Sequence, residues 1–281
     1  MNPRVLERRA LALRAARGYF DSLGFIEVET PVRIAAPAPE PHIDCPPVAT
    51  GGFLRASPEL QMKRLLADGM EKIYQLGPCF RDGEKGSRHN PEFTMVEWYR
   101  AGADYLEIAR DLEGLLRATG LDIGETRRIR VRDAYLRFAG WDPWETWNQD
   151  RFDEDMALKI EPAIAETGEG VFLCDYPVEA ASLARVSGEG NERHAERWEF
   201  YFGGMELANA FSELCDPDEQ AARFRKAAEE RKALGEAGYP IDGEFLGALG
   251  RIGAAAGAAL GFDRLVMLLT GEKNISSVRL I

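Results

Sequence analysis

CFRDGEKGSRHNPEFTMVEWYR, residues 79–100, is the stretch whose reading decides the fold. Ile73–Arg81 and Glu92–Arg100 read as two strands joined by the polar loop Asp82–Pro91. Successive side chains of a strand point to opposite faces, so Phe93, Met95, Glu97 and Tyr99 share one face. An aromatic ring, a carboxylate and a phenol on one face suit the floor of a binding site for a cationic ligand. Taken alone, a half-exposed strand with a paired glutamate is the simpler account. The loop adds Arg81, Lys85, Arg88 and His89, four candidate phosphate ligands. A solvated charged turn is the bland alternative.

Outward from this hairpin, residues 4–23 read as a helix with Leu6, Ala10, Leu13 and Phe20 on one face, ended by Gly24. Phe25–Thr30 alternates as a strand and stops at Pro31, and the proline-rich residues 35–47 form a loop. Ser57 is a natural N-cap with Pro58 at the first helical position, for a helix to about Asp68. Residues 104–118 are helical, and 121–170 give mixed signals. Trp198–Phe202 and Met205–Asn209 flank Gly203-Gly204, a hairpin signal. Asp216-Pro217-Asp218-Glu219 caps a helix to about Leu234. The small-residue run Gly253–Gly261 feeds Asp263-Arg264 and an apolar helix, Leu265–Leu269. Hairpins dominate the middle, and no Gly-rich strand-to-helix turn of dinucleotide or P-loop type occurs. The expectation is an α+β fold with an antiparallel sheet flanked by helices, a single domain over residues 1–281.

Two further constellations carry chemistry. Counting back from the Gly-Gly turn pairs Phe202 with Met205, Tyr201 with Glu206 and Glu199 with Ala208. Glu199 and Glu206 then lie diagonally on one face. Mg²⁺ between them, its shell completed by phosphates, would relieve their repulsion; neutralisation by a nearby arginine or lysine would serve equally. At Gly257–Arg264, small residues allow close backbone approach to a ligand, and Arg264 sits near a helix start, where anions are favoured.

The chain has 281 residues, 45% hydrophobic and 29% charged, enough for a real core. Its formal net charge of −12 disfavours broad attraction to a polyphosphate, so tRNA is not an expected partner. Cys45, Cys79, Cys174 and Cys215 form no CxxC pair and lack histidines at zinc spacing. Free thiols point to a reducing cytoplasm. No apolar run is long enough to span a bilayer, and the arginine-rich start lacks the layout of a secretory signal.

Together these stretches resemble the three motifs of class II aminoacyl-tRNA synthetases, in their order. GFIEVETP (24–31) is similar to the first, a helix–strand dimer element. Residues 79–100, with RHNPEFTM followed by Glu97 and Tyr99, resemble the second as it stands in the lysine enzymes. GAALGFDRLVML (257–268) resembles the third, and LRASPEL (54–60) and MELANAFSEL (205–214) also fit. The resemblance covers most of the chain.

It implies an ATP-dependent, adenylate-forming ligase with Mg²⁺. Arg81 would grip the α-phosphate. Asp82, Gly83, Glu84, His89 and Asn90 would lie along ATP, and Phe93 would stack on adenine, with Arg264 on its other face or on the γ-phosphate. Glu199 and Glu206 would hold the metal, and Leu207 and Gly261 would touch ATP through backbone. Glu59, in the run Ser57-Pro58-Glu59, would bind the amino group near the reacting carboxylate. Tyr99 and Glu213 would bind the distal ammonium of a lysine-like substrate, within a pocket that includes Glu97, Asn209 and Ala259. A homodimer is implied by the first motif.

The chain also departs from the full-length lysine enzymes. The first motif starts almost at residue 1, so no anticodon-binding domain is expected. Ala259 stands where glycine is usual, and with EFTMVEWYR it resembles the free-standing paralogues that ligate lysine or (R)-β-lysine to elongation factor P. Asp82-Gly83-Glu84 follows the arginine where Asn-Glu is usual, so the adenine-contacting glutamate is absent from its usual place and Glu84 is a candidate substitute, and Ala210 stands where glycine is usual beside the pocket. The resemblance therefore implies lysine or (R)-β-lysine activation with elongation factor P as acceptor. A truncated lysyl-tRNA synthetase paralogue acting on tRNA or making diadenosine phosphates, and a non-catalytic regulatory module, are the alternatives.

Overall fold

A computed structural model describes residues 2–279. The strands are β1 (Ile26–Glu27), β2 (Arg33–Ile34), β3 (Phe53–Leu54), β4 (Lys72–Phe80), β5 (Glu92–Ala101), β6 (Thr126–Arg130), β7 (Gly170–Tyr176), β8 (Val186–Ser187), β9 (His194–Phe202), β10 (Met205–Ser212) and β11 (Ala255–Gly261). The α-helices are α1 (Pro3–Ser22), α2 (Glu59–Ala67), α3 (Tyr105–Ala118), α4 (Val131–Ala134), α5 (Gln149–Asp155), α6 (Glu161–Glu166), α7 (Pro217–Leu234), α8 (Gly243–Leu249) and α9 (Phe262–Thr270).

One sheet runs in the order β1-β4-β5-β11-β10-β9-β7-β6, with β8 added to β9. Among the described residues β1 with β4 and β6 with β7 pair in parallel, and the other strand pairs of this sheet are antiparallel. The fold is α+β, with helices flanking the sheet. One sheet face carries the main core: Val96 and Trp98 of β5, Ala256, Ala258 and Leu260 of β11, and Trp198 and Phe200 of β9 pack with α1, α3 and α9. The alternation then sends Phe93, Met95, Glu97 and Tyr99, and Gly257, Ala259 and Gly261, to the opposite face, which floors a cleft. Two further apolar clusters lie around α2 with α8, and around α4–α6 with β7.

Several expectations are corrected. The buried face of α1 is Val5, Ala12, Ala16 and Phe20, while Leu6 and Ala10 are exposed. The alanines sit where α1 meets its helical neighbours, and Phe20 stacks on Tyr74 with centroids 4.5 Å apart. The first strand covers two residues rather than Phe25–Thr30. Beyond it, side chains replace the ladder: Thr30 N donates to Gln75 Oε1 at 2.9 Å, and buried Arg55 donates to the Thr30 carbonyl at 2.8 Å. Helix α2 starts at Glu59, with Pro58 as its cap, although Ser57 Oγ still accepts from the Glu59 N–H at 2.9 Å. The small-residue run is strand β11, and α9 begins at Phe262 rather than Leu265.

The Gly-Gly hairpin carries the main correction. Phe202 faces Met205 and Tyr201 faces Glu206, but Glu199 faces Asn209, because a bulge separates Glu206 from Ala208. Leu207 and Ala208 both join the helix-side core, so Glu206 and Asn209 share the cleft face despite their odd spacing. Ala210 also points into that core, fully buried, and its departure from glycine does not touch the cleft. Among the described residues, no helix is long and apolar enough to cross a membrane.

Candidate active site

The cleft encloses about 400 Å³ over β5, β11, β10 and β9. Its cationic half is built by the loop after β4 and the start of α9. Arg81 N donates to the Pro91 carbonyl at 2.9 Å, closing the loop base. The Arg81 guanidinium lies 5.2 Å from the Phe93 ring centre and 3.4 Å from Glu84 Oε1. Its Nε is buried and has no hydrogen-bond partner among the described residues. A buried unpaired donor of permanent charge calls for an acceptor, and phosphate fits.

Arg264 donates from Nη1 to the Glu206 carbonyl at 2.7 Å, and its Nη2 lies 2.7 Å from His89 Nε2. Arginine only donates, so His89 accepts at Nε2 and carries its proton on Nδ1. Burial, then the Arg264 charge, lowers the His89 pKa, in keeping with a neutral ring. Arg88 anchors the loop to the hairpin turn through the Gly204 carbonyl at 2.7 Å, and Asn90 donates to the Glu92 carbonyl at 2.9 Å. Glu84, His89, Asn90 and Phe93 line the cleft, whereas Asp82, Gly83 and Lys85 do not. Gly83 has φ +74° with open space around it, and its N–H donates to Asp82 Oδ1.

Glu199 and Glu206 both reach the cleft. Arg197 Nη2 lies 2.6 Å from Glu199 Oε1, and Tyr201 donates to Glu199 Oε2 at 2.7 Å. Both anticipated forms of neutralisation are thus available: arginine already holds Glu199, yet Glu206 still feels it. Burial, then repulsion from Glu199, pushes the Glu206 carboxyl up to about 7. Arg264 Nη1 lies 3.5 Å from Glu206 Oε2, so the Glu206 charge is only partly compensated. Two carboxylates with hard oxygen donors fit Mg²⁺, which keeps waters and takes phosphate oxygens as its remaining ligands. Among the described residues no group of three His, Cys, Asp or Glu could hold a metal unaided, so phosphate would have to complete the shell.

The other half is acidic and hydrogen-bonded. Glu97 is buried; it accepts from Ser57 Oγ at 2.8 Å and from Tyr99 OH at 2.6 Å. Burial, then Glu59, pushes its carboxyl up to about 7. Ala259 stands between Glu97 and Asn209 in the sheet register, and all three line the cleft with Ser57 and Glu59. Pro58 and Glu213 lie outside its lining. Behind the wall, the buried Lys63 ammonium contacts Glu59 Oε1 at 2.5 Å and the Glu213 carboxylate. Burial pulls the Lys63 pKa down, but Glu213 and Glu59 outweigh it and hold the ammonium charged. Glu213 Oε1 has no hydrogen-bond partner among the described residues.

Arg197 and Glu40 are among the lining residues that escaped the sequence reading. Arg197 donates to Asn209 Oδ1 at 3.2 Å and pairs with Glu199, so it links the two halves. Period two from Glu199 would have placed it on the same face. Glu40 enters from the proline-rich loop, where no periodicity exists to find it.

A family model described as "tRNA synthetases class II (D, K and N)" matches residues 2–281. Curated relatives agree along the whole length. The chain is 39% identical to the "Elongation factor P--(R)-beta-lysine ligase" of Photorhabdus laumondii, covering 97% of this chain and 93% of that protein. It is 38% identical to the protein of the same name from Proteus mirabilis, with the same coverages. Against the Vibrio cholerae protein of that name it is 37% identical, again over 97% and 93%. The chain therefore belongs to the class II tRNA synthetase family of the D, K and N enzymes, and within it to the family of the elongation factor P–(R)-β-lysine ligases.

Proposed function

We propose that this chain activates lysine or (R)-β-lysine with ATP and transfers the aminoacyl group to a lysine side chain of elongation factor P. The observation that carries this reading is a single cleft with an arginine-rich half and a carboxylate-rich half, in a chain 36–39% identical to ligases of that name.

In the first step a substrate carboxylate oxygen attacks the α-phosphorus of ATP. A new O–P bond forms, the bond to the β-phosphate oxygen breaks, and pyrophosphate leaves. Arg81 neutralises the α-phosphate, a role supported by its buried free Nε. Arg264, His89 and Asn90 bind the outer phosphates, Phe93 and Glu84 receive adenine, and Leu207 and Gly261 bound the nucleotide through backbone. Glu199 and Glu206 would hold Mg²⁺, which would supply charge neutralisation for the phosphates. In the second step the acceptor's neutral ε-amine attacks the acyl carbon, the acyl–phosphate bond breaks, AMP leaves, and the amine proton passes to solvent. No protein nucleophile is required; positioning and charge do the work.

Glu59 and Ser57 receive the proximal amino group, with Pro58 setting their turn. Glu97, Tyr99, Asn209 and Ala259 shape the side-chain pocket, and Glu213 acts from behind the wall through its contact with Lys63. Residues 1–281 act as one catalytic domain. We also propose a homodimer through the first motif, a reading supported by the exposed Leu11 and Ile26 along α1 and β1.

ATP–pyrophosphate exchange with Mg²⁺ tests the first step, comparing (R)-β-lysine, L-lysine and no amino acid. Mass spectrometry of elongation factor P tests the second. Exchange with (R)-β-lysine and a mass gain on the factor are expected. Exchange with L-lysine alone, without modification of the factor, would overturn the acceptor assignment.

A further inference from the structure

Glu40 lies in the proline-rich loop between β2 and β3, and its side chain lines the amino-acid half of the cleft. Its carboxylate has neither a hydrogen-bond partner nor an ion-pair partner among the described residues, although burial and the charge of Glu59 both push its pKa up. Elsewhere around the cleft each carboxylate is engaged: Glu59 by Lys63, Glu84 by Arg81, Glu97 by Ser57 and Tyr99, Glu199 by Arg197, Glu206 by Arg264. Glu40 is the exception among the described residues.

The loop that carries it is not loose. Arg231 of α7, fully buried, donates to the carbonyls of Glu40 at 2.8 Å and Ile43 at 3.1 Å, and to Asp44 Oδ1 at 2.5 Å. Its guanidinium lies 4.3 Å from the Tyr239 ring centre, and the Tyr239 hydroxyl accepts from the Cys45 N–H at 2.9 Å. Ordering a proline-rich loop with a buried arginine sets a defined position for the two residues that it lends to the cleft, Glu40 and Ile43. An unpartnered carboxylate held there, facing Glu59, wants a cation. A metal is disfavoured, since Glu59 is already paired with the Lys63 ammonium and Glu40 alone offers it a single carboxylate. An ammonium, which needs only two or three acceptors, is the cation that fits.

We propose that Glu40 is a specificity-determining residue that binds the substrate ammonium nearest the reacting carboxylate, opposite Glu59, and that Arg231 is its positioning residue. This rests on the lysine-activating reading above. It assigns to the loop the discrimination between substrates that differ in the position or presence of that amine.

Calorimetric titration of wild type and Glu40→Gln with (R)-β-lysine, L-lysine and 6-aminohexanoate tests it. The last ligand keeps the carboxylate and distal ammonium but lacks the proximal amine. Losing one charge-assisted hydrogen bond should weaken binding of the two lysines roughly ten- to hundred-fold, leaving 6-aminohexanoate unchanged. Glu40→Asp, which keeps the charge but withdraws it by one methylene, should lie between. Unchanged binding of the lysines by Glu40→Gln overturns the proposal. An equal loss for all three ligands also overturns it, because the effect would then not follow the proximal amine. For Arg231→Lys, the Km for the amino acid should rise while the Km for ATP stays; a rise in both would remove Arg231 from the positioning role. Wild-type exchange is measured in parallel. Selective loss of binding without any exchange would reject adenylation while leaving amine recognition by Glu40 in place.

Discussion

Gly257 and Tyr99 stand directly opposite one another on β11 and β5, and the tyrosine ring fills the space that a side chain on Gly257 would need. A Cβ built there would meet the ring at 2.2 Å. The Tyr99 hydroxyl is thereby aimed at Glu97 Oε1, 2.6 Å away. Gly257→Ala must displace the ring and break that bond. The expected result is a stability loss of about 1–3 kcal/mol from overpacking and a Km for the amino acid raised roughly tenfold or more. Thermal unfolding and exchange kinetics check both.

Arg81→Ala should abolish adenylate formation and leave the fold intact. Its pair with Glu84 is partly exposed and contributes little to stability, whereas its buried Nε has no hydrogen-bond partner among the described residues and in the proposed reaction meets the transferring phosphate. A fall in exchange rate of roughly a hundred- to a thousand-fold is expected, with an unchanged melting temperature. Full exchange in the variant would remove Arg81 from the reaction.

The parts of this site that a reader of the sequence can find are those with a period. Phe93, Met95, Glu97 and Tyr99 alternate without interruption, so their shared face follows from strand geometry. Glu59 and Lys63 stand one helical turn apart, a readable ion-pair spacing. The bulge at Leu207 leaves no mark in composition, and it moves Glu199 from opposite Ala208 to opposite Asn209. The approach of Glu213 to Lys63 joins residues distant in the chain through the packing of α2 against the sheet, which no local pattern encodes. Glu40 depends on Arg231, also far away in sequence, to hold an aperiodic loop in place.

Ala259 places one methyl between Glu97 and Asn209 in the cleft floor. Ala259→Gly enlarges the cleft there, in the part that the proposed function gives to the amino acid. One methyl group in a binding pocket is worth about 1–3 kcal/mol of discrimination. The ratio of kcat/KM for (R)-β-lysine over L-lysine should therefore fall by roughly tenfold or more. Exchange assays with the two isomers measure it, and an unchanged ratio would show that Ala259 does not select between them.

Lys63 is the buried cation between Glu59 and Glu213. Lys63→Met keeps the volume but leaves the buried Glu213 and the half-buried Glu59 without their counter-charge. Breaking such a group from one side costs about 3–5 kcal/mol. The protein would recover part of this by protonating a carboxylate, so the destabilisation should shrink at acidic pH. Denaturant unfolding of wild type and variant at pH 5 and pH 8 checks this, as rough bounds of the carboxylate window. A pH-independent difference would show that the lysine acts by packing rather than charge.

Glu206 and Glu97 are both held up to about 7, by burial first and then by Glu199 and Glu59 respectively. In the unfolded chain a glutamate titrates near its ordinary value of about 4.3. Between these values the folded protein keeps protons that the unfolded chain releases. The stability of the ligand-free protein should therefore fall as pH rises from about 4.5 to about 7, the sign opposite to that of a salt-bridged carboxylate. Glu206 faces solvent in the cleft, so its share is modest, and Glu206→Gln should flatten the slope without removing the Glu97 share. At the proposed metal site Mg²⁺ with nucleotide would need the ionised pair, so the stabilisation it confers should grow over the same interval and vanish in the Glu206 variant. Melting temperatures across that range, with and without Mg²⁺ and ATP, separate the two effects. Stabilisation by Mg²⁺ with ATP that persists unchanged in Glu206→Gln would place the metal elsewhere.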